Sequence, residues 1–162
     1  TQITPFLQLG IGFHLDLTVK ENVYLYGSIL GKTRKYLSEK FKDIISFAQL
    51  DKFINTKLKD LSSGMQSRLA FSIAVYSEPE TLVLDEVLAV GDLEFRNKCL
   101  DVFENFKKNK KTIILTSHDL DLVTRFFDRC IYLKNGIIIA DGDPKTVVNT
   151  YKNDINKSNY LK

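Results

Sequence analysis

Tryptophan is missing from this chain, methionine occurs once, proline three times and cysteine only twice. Cys99 and Cys130 lie in separate apolar-patterned segments. That excludes a disulfide framework and a cysteine-based metal site, and it favours a reducing, cytosolic setting. No apolar run approaches the roughly 18 residues needed to cross a bilayer. The first five residues, Thr1-Gln2-Ile3-Thr4-Pro5, have neither the basic start nor the apolar centre of a secretory signal. Neither sign of charge dominates: 23 Lys and Arg face 20 Asp and Glu, a net charge of +3. That balance gives no argument for a nucleic-acid partner. Internal repeats and low-complexity tracts are also missing.

What is present is an ordinary globular composition, 44% apolar and 27% charged over 162 residues, enough to bury a real core. Two halves differ in character. Residues 1–18 read as a short strand end and a loop carrying Gly10 and Gly12. Residues 19–79 read as almost all helix. Leu37, Phe41, Ile44, Ile45 and Ala48 form one apolar stripe of helical period. A further helix opens near Ser62-Ser63 and carries Leu69, Ala70, Ile73 and Ala74. From residue 80 the pattern alternates between strand and helix. Thr81–Asp85 and Lys111–Thr116 read as buried strands. Phe95, Cys99, Val102, Phe103 and Phe106 share one helical face, and a short helix is expected from about Asp119 to Phe127. Cys130–Leu133 and Ile137–Ala140 read as strands joined by an Asn135-Gly136 hairpin turn. Apolar strands alternating with helices imply a parallel sheet covered on both faces. The polar stretch from Tyr151 reads as a frayed tail or linker.

Three segments carry chemistry. Leu84-Asp85-Glu86 puts two acids at the carboxyl end of a buried strand, where open α/β sheets bind ligands. Asp85 suits a hard cation such as Mg2+, and Glu86 suits a general base acting on water. The plain alternative is a strand end with two solvated acids. Ser117-His118 follows the next strand and reaches the same sheet edge if the strands are neighbours. An imidazole there can donate to a phosphate, although a loop histidine taken alone is a weak signal. Leu61-Ser62-Ser63-Gly64-Met65 opens a helix whose free N–H groups and dipole form an anion site. On helix physics alone a simple serine N-cap is the favoured reading. Gly27-Ser28-Ile29-Leu30-Gly31-Lys32-Thr33 looks like a phosphate loop but has three residues between its glycines instead of four. It also closes a helix where the motif should open one.

In order and spacing, these segments resemble the nucleotide-binding subunits of ABC transporters. Leu61–Gln66 resembles the signature loop and Leu82–Glu86 resembles Walker B with its catalytic glutamate. Ala89-Val90-Gly91-Asp92 resembles the D-loop, His118 the switch histidine, and Gln8, ahead of Phe13–Asn22, the Q-loop. Asp85 follows Leu61 by 24 residues and His118 follows Asp85 by 33. Within the family, the pattern is most similar to the ATPases that export bacterial surface polysaccharides such as O-antigen, capsule or teichoic acid. The residues that carry this are Leu7–His14, Ser62–Met65, Asp85–Asp92, Asn135-Gly136 and Ala140–Pro144. Ser63 and Met65 depart from the commoner Gly and Gln of the signature, as this subgroup does.

The resemblance implies an α/β fold of the P-loop NTPase type: a parallel sheet flanked by helices, with an inserted helical subdomain. Residues 1–150 would be a partial nucleotide-binding domain, with the helical subdomain at about 19–79 and the α/β core at about 80–150; residues 151–162 would be a polar tail or linker. The phosphate loop and the adenine platform are expected upstream of residue 1, which makes this an N-terminally truncated chain, inactive alone. The implied cofactors are ATP and Mg2+. Glu86 and His118 would be catalytic; Gln8, Ser62, Ser63, Gly64, Asp85 and Asp92 would contact ATP; and Asp85 and Gln8 would serve Mg2+. The implied partners are a second ATPase subunit, head to tail, and a transmembrane permease at the cytoplasmic face of the inner membrane, with no nucleic acid. The implied function is to power polysaccharide export. Two alternatives stay open: a soluble ABC-type ATPase, and a non-catalytic truncated remnant.

Overall fold

Thr18 starts the helical part. Its side chain accepts from the Glu21 N–H at 3.2 Å while Glu21 Oε2 accepts from the Thr18 N–H at 2.8 Å. This reciprocal capping box satisfies two donors that a helix start would otherwise leave orphaned. The computed structural model describes residues 3–6, 12–85 and 93–159; residues 3–6 and 157–159 are described as backbone only. The chain divides into two units at the Thr116–Ser117 bond.

In the first unit, strand β1 (Ile3–Phe6) is followed by helices α1 (Val19–Ile29), α2 (Arg34–Ala48) and α3 (Ser63–Tyr76). Strand β2 (Thr81–Asp85), helix α4 (Leu93–Lys108) and strand β3 (Thr112–Thr116) complete it. The strands form a parallel sheet in the order β1-β2-β3, with Phe6 opposite Leu84 and Asp85 opposite Thr116. Their carboxyl ends therefore share one edge. The α2 stripe is buried at Leu37, Ile44, Ile45 and Ala48, as the spacing predicts. The α4 face is buried at Phe95, Cys99, Phe103 and Phe106. Phe47, Phe71, Tyr76 and Phe95 meet ring against ring with centroids 5.7–6.2 Å apart, joining α2, α3 and α4 in one core.

The glycines of the rejected phosphate loop have structural reasons. A Cβ on Gly27 would fall 2.3 Å from Leu37 Cδ2, so Gly27 lets α1 and α2 approach closely. Gly31 has φ +80° just past the C-cap Leu30 and ends α1 in the left-handed region.

In the second unit, α5 (Leu120–Phe126) is followed by an antiparallel hairpin of β4 (Cys130–Lys134) and β5 (Ile137–Gly142), then by α6 (Pro144–Asn159). Asn135 and Gly136 both have positive φ, as the expected tight turn requires.

Two expectations need correction. The segment from Tyr151 is not a frayed tail: it forms the second half of α6 as far as Asn159. The Tyr151 ring meets the Tyr132 ring edge-on at 5.1 Å, and Asp154 accepts from Tyr132 Oη at 2.7 Å and Lys134 Nζ at 2.6 Å. These contacts order a stretch whose composition alone reads as linker. The strands are also less covered than their apolar runs imply. In β3, which pairs with β2 on one edge and packs against α4, Ile114 is 53% exposed. On the hairpin, Leu133 and Ile137 are exposed as well.

Candidate functional site

Leu61 is buried, and the residues that follow it turn outward: Ser62 and Ser63 are exposed. Ser62 is the N-cap of α3, its Oγ accepting from the Met65 N–H at 3.2 Å. The approach to this tip is pinned from behind. Gln66 Nε2 donates to the carbonyls of Leu58 and Leu61 at 3.0 and 3.2 Å. Gly64 lies in the first turn of α3, where the backbone gains nothing from glycine. Among the described residues, a Cβ there would meet only Ser62 Oγ, at 3.9 Å. Packing among the described residues thus explains Gly27 but not Gly64.

At the sheet edge, Asp85 ends β2 and is exposed, with Thr116 directly opposite it in the register. Register partners point to the same face, and Thr116 Oγ1 donates to Asp85 Oδ1. Glu86 follows Asp85 in the chain, but Glu86, Gln8 and Asp92 lie outside the described residues. His118 belongs to the second unit, is exposed, and precedes α5. Asp119 caps that helix by accepting from the Leu122 N–H at 3.0 Å, and Ser117 Oγ accepts from the Asp119 N–H at 3.0 Å. The predicted residues thus divide into a signature-like tip at Ser62–Gly64, an acid at the sheet edge, and a histidine loop in the other unit.

Among the described residues, no group of three or more His, Cys, Asp or Glu side chains could hold a metal ion. An exposed strand-end carboxylate still fits Mg2+, which keeps several waters and binds through one or two carboxylates plus substrate phosphates. The donors at Asp85 are of that hard-oxygen kind.

Sequence reasoning missed three positioning residues. Thr116 is the polar end of an apolar strand, and its relation to Asp85 is visible only once the register is known. Gln66 carries no pattern signal. Asn22 is completely buried and holds the loop His14–Thr18 through four hydrogen bonds of 2.8–3.1 Å. Its signal was the Thr18-x-x-Glu21 spacing just ahead of it. A further chain of contacts crosses the unit. Arg68 on α3 donates to Gln49 Oε1 at 2.8 Å, and Gln49 Nε2 donates to Glu94 in the first turn of α4. The Arg68 guanidinium also lies 5.9 Å from the Phe95 ring centre. These contacts tie the signature-like helix to the helix that begins one residue after Asp92.

Among the described residues, no helix is long and apolar enough to cross a membrane. A family model described as "ABC transporter" matches residues 7–89. The O-antigen export system ATP-binding protein RfbB of Klebsiella pneumoniae is 38% identical over 151 residues, covering 93% of this chain and 61% of that protein. The teichoic acids export ATP-binding protein TagH of Bacillus anthracis is 39% identical over 155 residues, covering 96% of this chain and 28% of that protein. The chain therefore spans about three fifths or less of the length of these curated relatives. Among solved structures, the ATP-binding cassette MJ0796, in a dimeric post-hydrolysis state bound to ADP and Pi, superposes with TM-score 0.73 at 24% identity. It covers 88% of this chain and 63% of that one. The ATP-binding subunit of an ABC transporter superposes with TM-score 0.79 at 20% identity, covering 93% and 62%. These similarities establish the α/β fold of ABC ATPase domains.

Proposed function

Because the chain belongs to the ABC transporter family, we propose that it is part of an ATP-hydrolysing subunit that powers export of a cell-surface polysaccharide. The similarity to O-antigen and teichoic acid export ATP-binding proteins supports the cargo class. In this reading the protein works at the cytoplasmic face of the plasma membrane with a permease and a second copy of itself. Residues 19–79 form the inserted helical subdomain, residues 12–60 carry the contact with the permease, and Gln8 couples that contact to the nucleotide.

The observation that carries the reading is the α3 tip, where Ser62 and Ser63 are exposed and packing among the described residues does not require Gly64. A γ-phosphate held by the other copy satisfies the free N–H groups and hydroxyls of this tip. Dimer closure then depends on that phosphate, because only the closed state gains those bonds. Asp85, together with Gln8, would hold Mg2+, which supplies charge neutralisation to the phosphates when bound. Glu86 orients the attacking water and accepts its proton. His118 donates to the transferring phosphoryl oxygens. Asp92 reaches the nucleotide from the D-loop position.

The test is Glu86→Gln in the full-length protein. Turnover is expected to fall by roughly 10²–10⁴-fold, the usual value of a general base. ATP should remain bound, and a stable dimer should accumulate in light scattering. A variant that hydrolyses ATP at the normal rate overturns the assignment.

A further inference from the structure

In parallel strands, residues directly opposite each other point to the same face. At the end of the β2–β3 pair those residues are Asp85 and Thr116, both exposed at the carboxyl edge of the sheet. A threonine hydroxyl has one proton to give, and Thr116 gives it to Asp85 Oδ1. The bond stops the carboxylate from turning about its last torsion. It also takes one oxygen out of play, so the other is held in a fixed direction.

A carboxylate that meets a divalent cation must present its lone pairs along a narrow cone, and ordering it beforehand removes an entropic cost from binding. We propose that Thr116 is a positioning residue for divalent-cation binding: its hydroxyl holds the Asp85 carboxylate in the orientation that receives the ion bound with ATP. The inference rests on the reading of Asp85 given above. Thr116 itself touches neither the ion nor the nucleotide in this arrangement.

A threonine that merely fills a strand position would make a different prediction from one that aims a carboxylate. Thr116→Val keeps the shape and the β-branching but loses the donor. Thr116→Ser keeps the donor but loses the methyl. In the full-length protein, Mn2+ is the probe, its free concentration read by electron paramagnetic resonance with ATP present. Thr116→Val is expected to weaken Mn2+ binding roughly 10-fold, the lower end of the range for partners of metal ligands. Thr116→Ser should restore it to within about 2-fold, with metal-free ATP binding unchanged in both. Wild-type Mn2+ affinity in Thr116→Val, or equal weakening in both variants, overturns the inference. Asp85→Asn separates this failure from that of the premise. If Asp85→Asn weakens Mn2+ binding and Thr116→Val does not, only the role of Thr116 is lost. If Asp85→Asn also leaves it unchanged, the metal reading of Asp85 falls first.

Discussion

Asn22 and His14 hold each other by two hydrogen bonds: the His14 N–H donates to Asn22 Oδ1 at 2.8 Å, and Asn22 Nδ2 donates to the His14 carbonyl at 3.0 Å. The same amide reaches the carbonyls of Leu17 and Thr18, so one buried side chain closes the turn ahead of α1. No shorter or apolar residue can replace this set. Asn22→Ala is expected to cost about 2–3 kcal/mol, because a backbone N–H and several carbonyls lose their partner in a dry site. Urea unfolding should show a lower midpoint with an unchanged slope.

Gly27 and Gly64 should separate packing from function. In Gly27→Ala, the new methyl collides with buried Leu37, which has little room to turn. A loss of about 1–2 kcal/mol is expected after the helix-propensity gain is counted. In Gly64→Ala, the methyl makes only an ordinary contact with Ser62 Oγ among the described residues, so the melting temperature should hold or rise slightly. ATP-driven dimerisation, measured by light scattering in a Glu86→Gln background, should nevertheless fall sharply. A Gly64→Ala protein that melts early and dimerises normally would contradict both halves of this contrast.

Much of this was legible in the chain because it rests on local chemistry. The Gly31 stop, the Ser62 cap and the Asn135-Gly136 turn each depend on a few neighbouring residues. The helix stripes at Leu37–Ala48 and Phe95–Phe106 depend only on period. What could not be read depends on contacts distant in sequence. Thr116 meets Asp85 because two strands pair in one register and not another. Tyr151 and Asp154 are ordered by Tyr132 and Lys134, so a polar composition that reads as linker forms a helix. Ile114 is exposed despite its apolar run, since hydropathy records what a strand prefers and not what lies against it.

The aromatic cluster is expected to be the least forgiving part of the first unit. Phe71 is fully buried and packs 6.2 Å from the Phe47 ring and 6.0 Å from the Phe95 ring. Phe71→Ala should cost about 3–5 kcal/mol through lost burial and the cavity left behind. Thermal unfolding followed by circular dichroism reads this directly. A loss under about 1 kcal/mol would mean that α2, α3 and α4 do not share one core.

Acid should weaken the protein through carboxylates whose partners are in hand. The Thr18 N–H holds Glu21 below its ordinary value of 4.5, and the Thr146 N–H holds Asp143 below 3.8. Hydrogen bonds from Lys59 and Arg129 do the same for Asp16 and Asp141. A group depressed in the folded state stabilises it above the unfolded value, and that contribution is lost as pH falls through the folded value. The melting temperature should therefore be flat near neutrality and drop below about pH 4.5, beginning with Glu21. Thr18→Val removes the donor hydroxyl and the cap acceptor but keeps the backbone N–H. The variant should lose stability at pH 7 and show a shallower fall on acidification than the parent. Parallel curves for the two proteins would mean that Glu21 titrates without regard to the cap.

The two thiols should differ in reactivity for a reason of burial. Cys99 is buried on the inner face of α4, and desolvation pushes its thiol up to about 12. Cys130, at the start of β4, is only half-buried and is raised less. The thiolate is the reactive form, so access and charge both favour Cys130. With a disulfide reagent at pH 8, one equivalent should react in the native protein and the second only on unfolding. Cys130→Ser should abolish the native phase and leave the slow one. Rapid modification of Cys99 in that variant would show that α4 opens away from its core without global unfolding.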